Sequence, residues 1–312
     1  MKRRTFIHSA VAGTMAGPIL GAAPGKVIPK RKYRDNVELS IIGFGGIVVT
    51  GQEQDAANRV VADSYDRGIN YFDVAPTYAD GEAEIKLGNA LKPYRKNVFL
   101  ACKTTQRDAA GARNELERSL QRLHTDHFDL YQFHAVTTME DVEKIFAPGG
   151  AAELFLKAKQ EGKARYLGLS AHGTEAAIAV MERFPVDSIL FPVNYVCFAE
   201  GNFGPQILAK AKEKGVARLA LKALAHQQWP EGTDRKKSSH PKCWYEPVAE
   251  RELARKALRF TLSEDITAAI PPGDERIYAL ALELAADLKP ITPAERSELL
   301  ASAEGLKPIF HT

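Results

Sequence analysis

Eight short runs rich in β-forming residues recur along the chain, each followed by a stretch of helical period, and this alternation constrains the fold more than any other feature. The runs are "ELSIIGFG", "INYFDVA", "NVFLACKT", "FDLYQFH", "ARYLGLS", "DSILFPVNY", "ARLALKAL" and "DITAAIPP". Between them Val60, Val61 and Tyr65 share one helical face, as do Leu116, Leu120 and Leu123. Strands that alternate with amphipathic helices form a parallel sheet with crossover helices. Eight such units predict an α/β fold, a closed (β/α)8 TIM barrel, rather than an open doubly wound sheet. An open dinucleotide-binding sheet would also carry G-x-G-x-x-G where a helix opens, and "GFGG" followed by "IVVTGQEQ" lacks that spacing. The final segment, "ITPAERSELLASAEGL", predicts an added C-terminal helix with Thr292 as N-cap, Pro293 at the first helical position and Glu295 closing a capping box.

The N-terminus is of another kind. "MKRRTFIHSAVAGTMAGPILGAAPGK" begins basic, continues Gly- and Ala-rich over a span too short for a mature membrane helix, and reaches small residues at Gly21, Ala22 and Ala23. Arg3 and Arg4, followed by Thr5 and Phe6, resemble a bacterial twin-arginine export signal. Residues 1–24 are therefore predicted to be a cleaved signal engaging the export machinery. Residues 25–312 then form one barrel domain, placed in the periplasm with no stable membrane span. The net charge of +3 is matched by Lys2, Arg3 and Arg4 alone, so the rest is balanced and offers no nucleic-acid footprint. Cys102, Cys197 and Cys243 are few and far apart, which predicts bystander thiols rather than disulfides or a zinc cluster.

In such a barrel the C-terminal strand ends carry the chemistry. Asp73 follows the second run, Lys103 the third, His134 the fourth, Ser170 and His172 the fifth, Asn194 and Tyr195 the sixth, and Lys222 ends near the seventh. Tyr78 lies just beyond Asp73 in "DVAPTY". A phenol titrates at about 10 in water, and a nearby ammonium lowers that value. Lys103 is the candidate ammonium, Asp73 the anion that keeps it charged, and His134 the donor that orients a substrate oxygen beside Tyr78. Such a set delivers a proton to a carbonyl oxygen, while the hydride has to come from a nicotinamide or flavin. A metallohydrolase built on His134, His172 and Asp73 is the alternative chemistry. It leaves Lys103 and Tyr78 without a role and lacks the H-x-H spacing common in such sites.

At these residues the chain resembles the aldo-keto reductases: "GFGG", "FDVAPTYADGEAEIKLGNAL", "FLACKT", "LYQFH" and "ARYLGLS" match their successive motifs. The resemblance implies catalysis by Asp73, Tyr78, Lys103 and His134, with NADP(H) or NAD(H) extended across the barrel mouth and no metal. It further implies cofactor contacts at Gly45, at Ser170 near the carboxamide and at Tyr195 stacked on the nicotinamide ring. Lys222 stands where the family often has serine and would offer its ammonium to the pyrophosphate. Gly273, Asp274 and Arg276 in "PPGDER" fall at the adenosine end. There the acids would repel a 2'-phosphate, so NAD(H) competes with the NADP(H) that the family favours. The long stretch "AHQQWPEGTDRKKSSHPKCWYEPVAE" brings Trp229, Trp244 and Tyr245 as candidate walls for a small carbonyl or alcohol substrate. An accessory nucleotide-binding subunit with incidental turnover is the competing reading.

Overall fold

A computed structural model describes residues 26–312; the predicted export signal lies outside the described residues. The strands are β1 (Lys30–Arg34), β2 (Val37–Ser40), β3 (Phe44–Gly45), β4 (Tyr71–Asp73), β5 (Phe99–Thr104), β6 (Phe128–Val136), β7 (Ala164–Ala171), β8 (Ser188–Pro192), β9 (Ala217–Leu221), β10 (Ala225–Gln227), β11 (Glu246–Pro247) and β12 (Ala268–Ile270). The helices are α1 (Gln54–Asp66), α2 (Glu82–Leu91), α3 (Ala109–Arg122), α4 (Met139–Phe146), α5 (Ala151–Gln160), α6 (Thr174–Arg183), α7 (Tyr195–Ala199), α8 (Pro205–Glu213), α9 (Arg251–Ser263), α10 (Glu275–Ala285) and α11 (Pro293–Ala301). Strands β3 to β9 and β12 form one parallel sheet in chain order. The sheet returns on itself where Gly43 N donates to Ala269 O at 2.9 Å and Ala269 N donates to Ile41 O at 2.9 Å. The predicted (β/α)8 barrel is the observed fold.

The first predicted strand divides in two. Val37–Ser40 pairs antiparallel with Lys30–Arg34, whereas Phe44–Gly45 pairs with β4 in the barrel and Ile42 bridges to Ala269. The break falls where the chain crosses Tyr71: a Cβ on Gly43 would lie 2.6 Å from that ring. The hairpin has a purpose that its polar sequence hides. Its Tyr33 and Leu39 bury against Tyr71, Phe99, Leu130, Tyr166, Leu190 and Leu219 inside the barrel. Tyr33 also donates to Ser188 Oγ at 2.9 Å, so the hairpin plugs the N-terminal end. Among the described residues, the hairpin closes that end of the barrel interior, and the cavity lined by strand ends lies at the opposite face.

The helices bury their apolar faces as the spacing predicts: Val61 of α1 and Leu116 and Leu120 of α3 are fully or nearly fully buried. Helix α11 carries the expected capping box, with Glu295 N donating to Thr292 Oγ1 at 3.3 Å and Thr292 N donating to Glu295 Oε2 at 2.9 Å. Pro271 and Pro272, which lack a backbone N–H, end the barrel at β12. The three cysteines are buried free thiols.

Candidate active site

Parity along the strands aims the polar side chains inward. In β6, Tyr131 and Phe133 pack outward into the helix layer, so Leu130, Gln132 and His134 face the barrel axis. The same alternation turns Tyr71 and Asp73 of β4, and Ala101 and Lys103 of β5, toward the axis. Asp73 and Lys103 are nearly inaccessible to solvent. Lys103 Nζ forms an ion pair with Asp73 and donates to Tyr78 Oη at 3.3 Å and to Val74 O at 3.3 Å. It also lies 5.1 Å from the centre of the Tyr78 ring. His134 meets that ring edge-on at 5.8 Å. Asp73, Tyr78, Lys103 and His134 thus meet at one place.

Gln132 belongs with them and was missed in the sequence. Its Nε2 donates to Asp73 Oδ2 at 3.1 Å, and Tyr71 Oη donates to the same oxygen at 3.5 Å. Both carboxylate oxygens are therefore engaged. The signal that finds it is parity: Gln132 lies two residues before His134, on the same face of a strand otherwise apolar there.

The turn after β4 sets the phenol. Tyr78 N donates to Ala75 O at 3.1 Å, after which Ala79, Asp80 and Gly81 adopt φ of 48°, 53° and 93°. Two non-glycine residues in the left-handed region cost on the order of 1 kcal/mol each, a strain of the sort that collects at functional turns. Glycine suits the third position because of its φ of 93°, a conformation that side chains rarely adopt. His134 is positioned by a second irregularity, a bulge between Phe133 and Val136 with Ala135 at φ 53°. Arg107 clamps it, its Nη2 donating to His134 O at 3.0 Å and Ala135 O at 3.3 Å, and its Nε to Asp141 at 2.9 Å.

The electrostatics are those of a buried site. Burial alone would lower the Lys103 ammonium, but Asp73 and Tyr78 more than offset it and hold it above its ordinary value. Burial pushes the Tyr78 phenol up, and Lys103 works in the opposite direction without overcoming it. The expected net lowering of Tyr78 is therefore not met in the protein alone, because desolvation outweighs one ammonium. Burial, with the positive charge of Lys103 second, holds His134 well below the usual histidine range. A neutral imidazole donates a hydrogen bond without surrendering its proton.

A cavity opens directly above, lined by Gly45, Asp73, Tyr78, Lys222, Tyr245 and Gly273 among others. Several buried polar atoms of this region have no protein partner, including Ser170 Oγ, Asn194 Nδ2 and His134 Nδ1. Unsatisfied donors and acceptors of this kind suit a carboxamide, and Gly45 and Gly273 bring bare backbone to the rim. A Cβ on Gly273 would lie 2.4 Å from Ile47 Cγ2, so the approach needs glycine. The residues present fit a nicotinamide dinucleotide.

Other sequence-predicted residues fall elsewhere. Asn194 accepts from Cys197 N at 2.9 Å and turns the chain into α7, which carries Tyr195 into the core. Its hydroxyl meets His226 Nδ1 at 2.7 Å and its ring is buried in the wall, while Leu221 lines the cavity. Trp229 is also away from the cavity, donating Nε1–H to Cys243 O at 3.0 Å and bracing the loop that brings Trp244 and Tyr245 over the mouth. Asp274 is buried as N-cap of α10, and Arg276 folds back on it at 3.1 Å and on Ser239 O. Lys242 crosses to Glu275 at 2.5 Å and Val48 O at 3.1 Å. Among the described residues no group of three or more His, Cys, Asp or Glu side chains is placed to hold a metal ion.

Residues 41–289 match the model of the aldo/keto reductase family. The aldo-keto reductase YhdN of Bacillus subtilis is 30% identical over 205 residues, 60% of this chain and 59% of that protein. Among solved structures, an aldo-keto reductase from Bacillus halodurans in its holo form is 26% identical, covering 91% of this chain and 99% of that one with a TM-score of 0.70. An aldo-keto reductase from Klebsiella pneumoniae in complex with NADPH shares the fold at 18% identity and a TM-score of 0.64, covering 93% and 98%. Matches to three curated relatives span 48% to 63% of their lengths.

Proposed function

The chain belongs to the aldo/keto reductase family, and from that premise we propose that it is a nicotinamide-dependent oxidoreductase acting on a carbonyl or alcohol. The observation that carries the proposal is one buried ammonium, Lys103, touching both Asp73 and the Tyr78 hydroxyl at the floor of the cavity. Bound nicotinamide supplies or accepts the hydride. Tyr78 gives its proton to the carbonyl oxygen in reduction and takes the hydroxyl proton in oxidation. Lys103 favours the phenolate that reduction leaves behind, and Asp73, held by Gln132, keeps Lys103 charged. Neutral His134 donates to the substrate oxygen and fixes it beside the phenol.

Tyr78→Phe removes the transferable proton and leaves the ring. Turnover is expected to fall by 10² to 10⁴, the usual worth of general acid–base catalysis, with nucleotide affinity largely kept. Turnover near the wild-type level would remove Tyr78 from the role.

NADP(H) is the preferred nucleotide in this reading and NAD(H) the competitor. The acids that would oppose a 2'-phosphate are engaged, Asp274 by Arg276 and Glu275 by Lys242, and the Arg276 side chain is 63% exposed at the α10 N-terminus. Fluorescence titration is expected to give tighter binding of NADPH than of NADH; the reverse order assigns NAD(H). Residues 1–24 are proposed as a twin-arginine signal that delivers the barrel, residues 25–312, to the periplasm. The support is the Arg3–Arg4 pair ahead of a short apolar stretch. Cell fractionation of the Arg3→Lys, Arg4→Lys double variant should find the protein retained in the cytoplasm, and unaltered location would refute the assignment.

A further inference from the structure

The charges at the mouth do not balance. Asp73 is matched by Lys103 and Glu275 by Lys242, whereas Lys222 has no carboxylate partner among the described residues. Its Nζ lies 5.6 Å from the centre of the Trp244 ring and 5.5 Å from that of Phe310, so aromatic faces flank it where a counter-ion would stand. The backbone is held there against preference. Lys222 has φ 62°, fixed by its N–H on Ile270 O at 3.1 Å and by Ala225 N on its own carbonyl at 3.0 Å. A strained non-glycine residue at a cavity rim points to a ligand.

The same wall holds a further polar atom without a protein partner: His172 stacks on Phe310 at 4.7 Å, and its Nε2 has no hydrogen-bond partner. Burial, and after it the charge of Lys103, pushes the Lys222 ammonium down to about 7. An anion beside it would reverse that shift.

Two anions are available in this chemistry, the pyrophosphate of the nucleotide and a group on the substrate. Lys222 acts electrostatically on both His134 and His172, and itself feels Lys103 and Asp73. Its Nζ lies over Phe310, Phe310 stacks on His172, and His172 N donates to Val136 O at 2.9 Å, two residues beyond His134. The ammonium is thus on the His134 side of the cavity, although its own backbone N–H bonds Ile270 O, near Gly273. One ammonium matches one negative charge. A phosphate monoester carries nearly two at neutral pH and would need a second cation, and Lys242 is already engaged by Glu275. Resting on the oxidoreductase reading above, we propose that Lys222, framed by Trp244 and Phe310, receives a carboxylate of the substrate, which makes the substrate an oxo acid or hydroxy acid.

The test compares acids with their methyl esters in the full chain: succinic semialdehyde against methyl 4-oxobutanoate, and 4-carboxybenzaldehyde against methyl 4-formylbenzoate. The acid-to-ester ratio of kcat/KM is expected to exceed 10 in the wild type. It should fall at least tenfold in Lys222→Met, through KM, and be largely kept in Lys222→Arg, with thermal melts confirming that both variants fold. An unaltered ratio in Lys222→Met overturns the proposal. So does a tenfold loss of nucleotide affinity with the ratio intact, which would place Lys222 on the pyrophosphate. A tenfold preference for glyceraldehyde 3-phosphate over both carboxylates overturns the charge count. Calorimetry with 4-(hydroxymethyl)benzoate and benzyl alcohol needs no turnover and separates this proposal from the reading beneath it. Binding of the acid that Lys222→Met abolishes supports the carboxylate site even if no carbonyl is reduced, and no selective binding of the acid refutes it.

Discussion

Replacing Lys103 with methionine isolates the contribution of one ammonium to the proton step. Nζ lies 3.3 Å from Tyr78 Oη in a site from which Lys103 is almost wholly shielded. At an effective dielectric of about 20, a full charge at that separation stabilises the phenolate by about 5 kcal/mol, a ceiling of roughly four pKa units. Loss of the ammonium therefore raises a phenol that burial already holds high. The phenolate, which is the base in alcohol oxidation, then forms only at higher pH. The rising limb of kcat/KM for oxidation should move up by one unit or more, and turnover near neutrality should fall within 10² to 10⁴.

The substitution also leaves Asp73 buried without its counter-ion, at a cost of about 3 to 5 kcal/mol in stability. The double variant Asp73→Asn, Lys103→Met separates the two effects, since a neutral amide can keep the contact with Gln132. It should recover most of the melting temperature and none of the rate. The assay is steady-state kinetics in both directions from pH 5 to 10, with thermal melts of all three proteins. An unmoved limb, a single variant above one-tenth of wild-type activity, or a double variant that recovers activity along with stability would each refute the reasoning.

Arg107→Met removes the donors to His134 O and Ala135 O and should lower kcat about tenfold with little change in nucleotide affinity, as steady-state kinetics and NADPH titration would show. Gly273→Ala sets a methyl against Ile47 and should weaken nucleotide binding, with partial rescue by Ile47→Ala in the same titration. For carboxylate substrates, the Lys222 ammonium is present below about 7 and lost above it. The groups that act on or feel that charge are Lys103, Asp73, Cys197, His134 and His172. Relative to the ester, kcat/KM for the acid should therefore fall by up to tenfold per pH unit above 7, and parallel profiles for acid and ester would contradict it.

The parts of the fold that could be read from sequence are those in which local pattern and tertiary role agree. Each barrel strand after the first is an apolar run with a helix behind it, and Thr292, Pro293 and Glu295 state a helix start within a few residues. The hairpin was not legible. "KRKYRDNVELS" looks like a polar edge, and Tyr33 and Leu39 gain meaning only from the barrel interior that they close. The site divides in the same way. Asp73, Lys103 and His134 lie at or near the C-terminal ends of strands, so position along the chain locates them, and period-two parity extends the set to Gln132. Tyr195 also follows a strand, but Asn194 caps a helix at that point and turns the ring into the wall. Which way a residue faces after a strand has ended depends on the turn, and neither propensity nor spacing reports it.

Lys103 and Lys222 make the same point about charge. Both follow apolar β-rich runs, and as letters they are equivalent. Burial lowers either ammonium, and what distinguishes them is the company each keeps: Asp73 and Tyr78 restore the first, while the second lies between two aromatic rings with no carboxylate partner among the described residues. An ammonium with an internal anion is committed to its neighbours and serves the chemistry they perform. One without an anion gains its counter-charge only from what binds. The paired charge of the first and the unpaired charge of the second are therefore separate requirements on this site, one for moving a proton and the other, on the proposal above, for choosing the molecule that receives it.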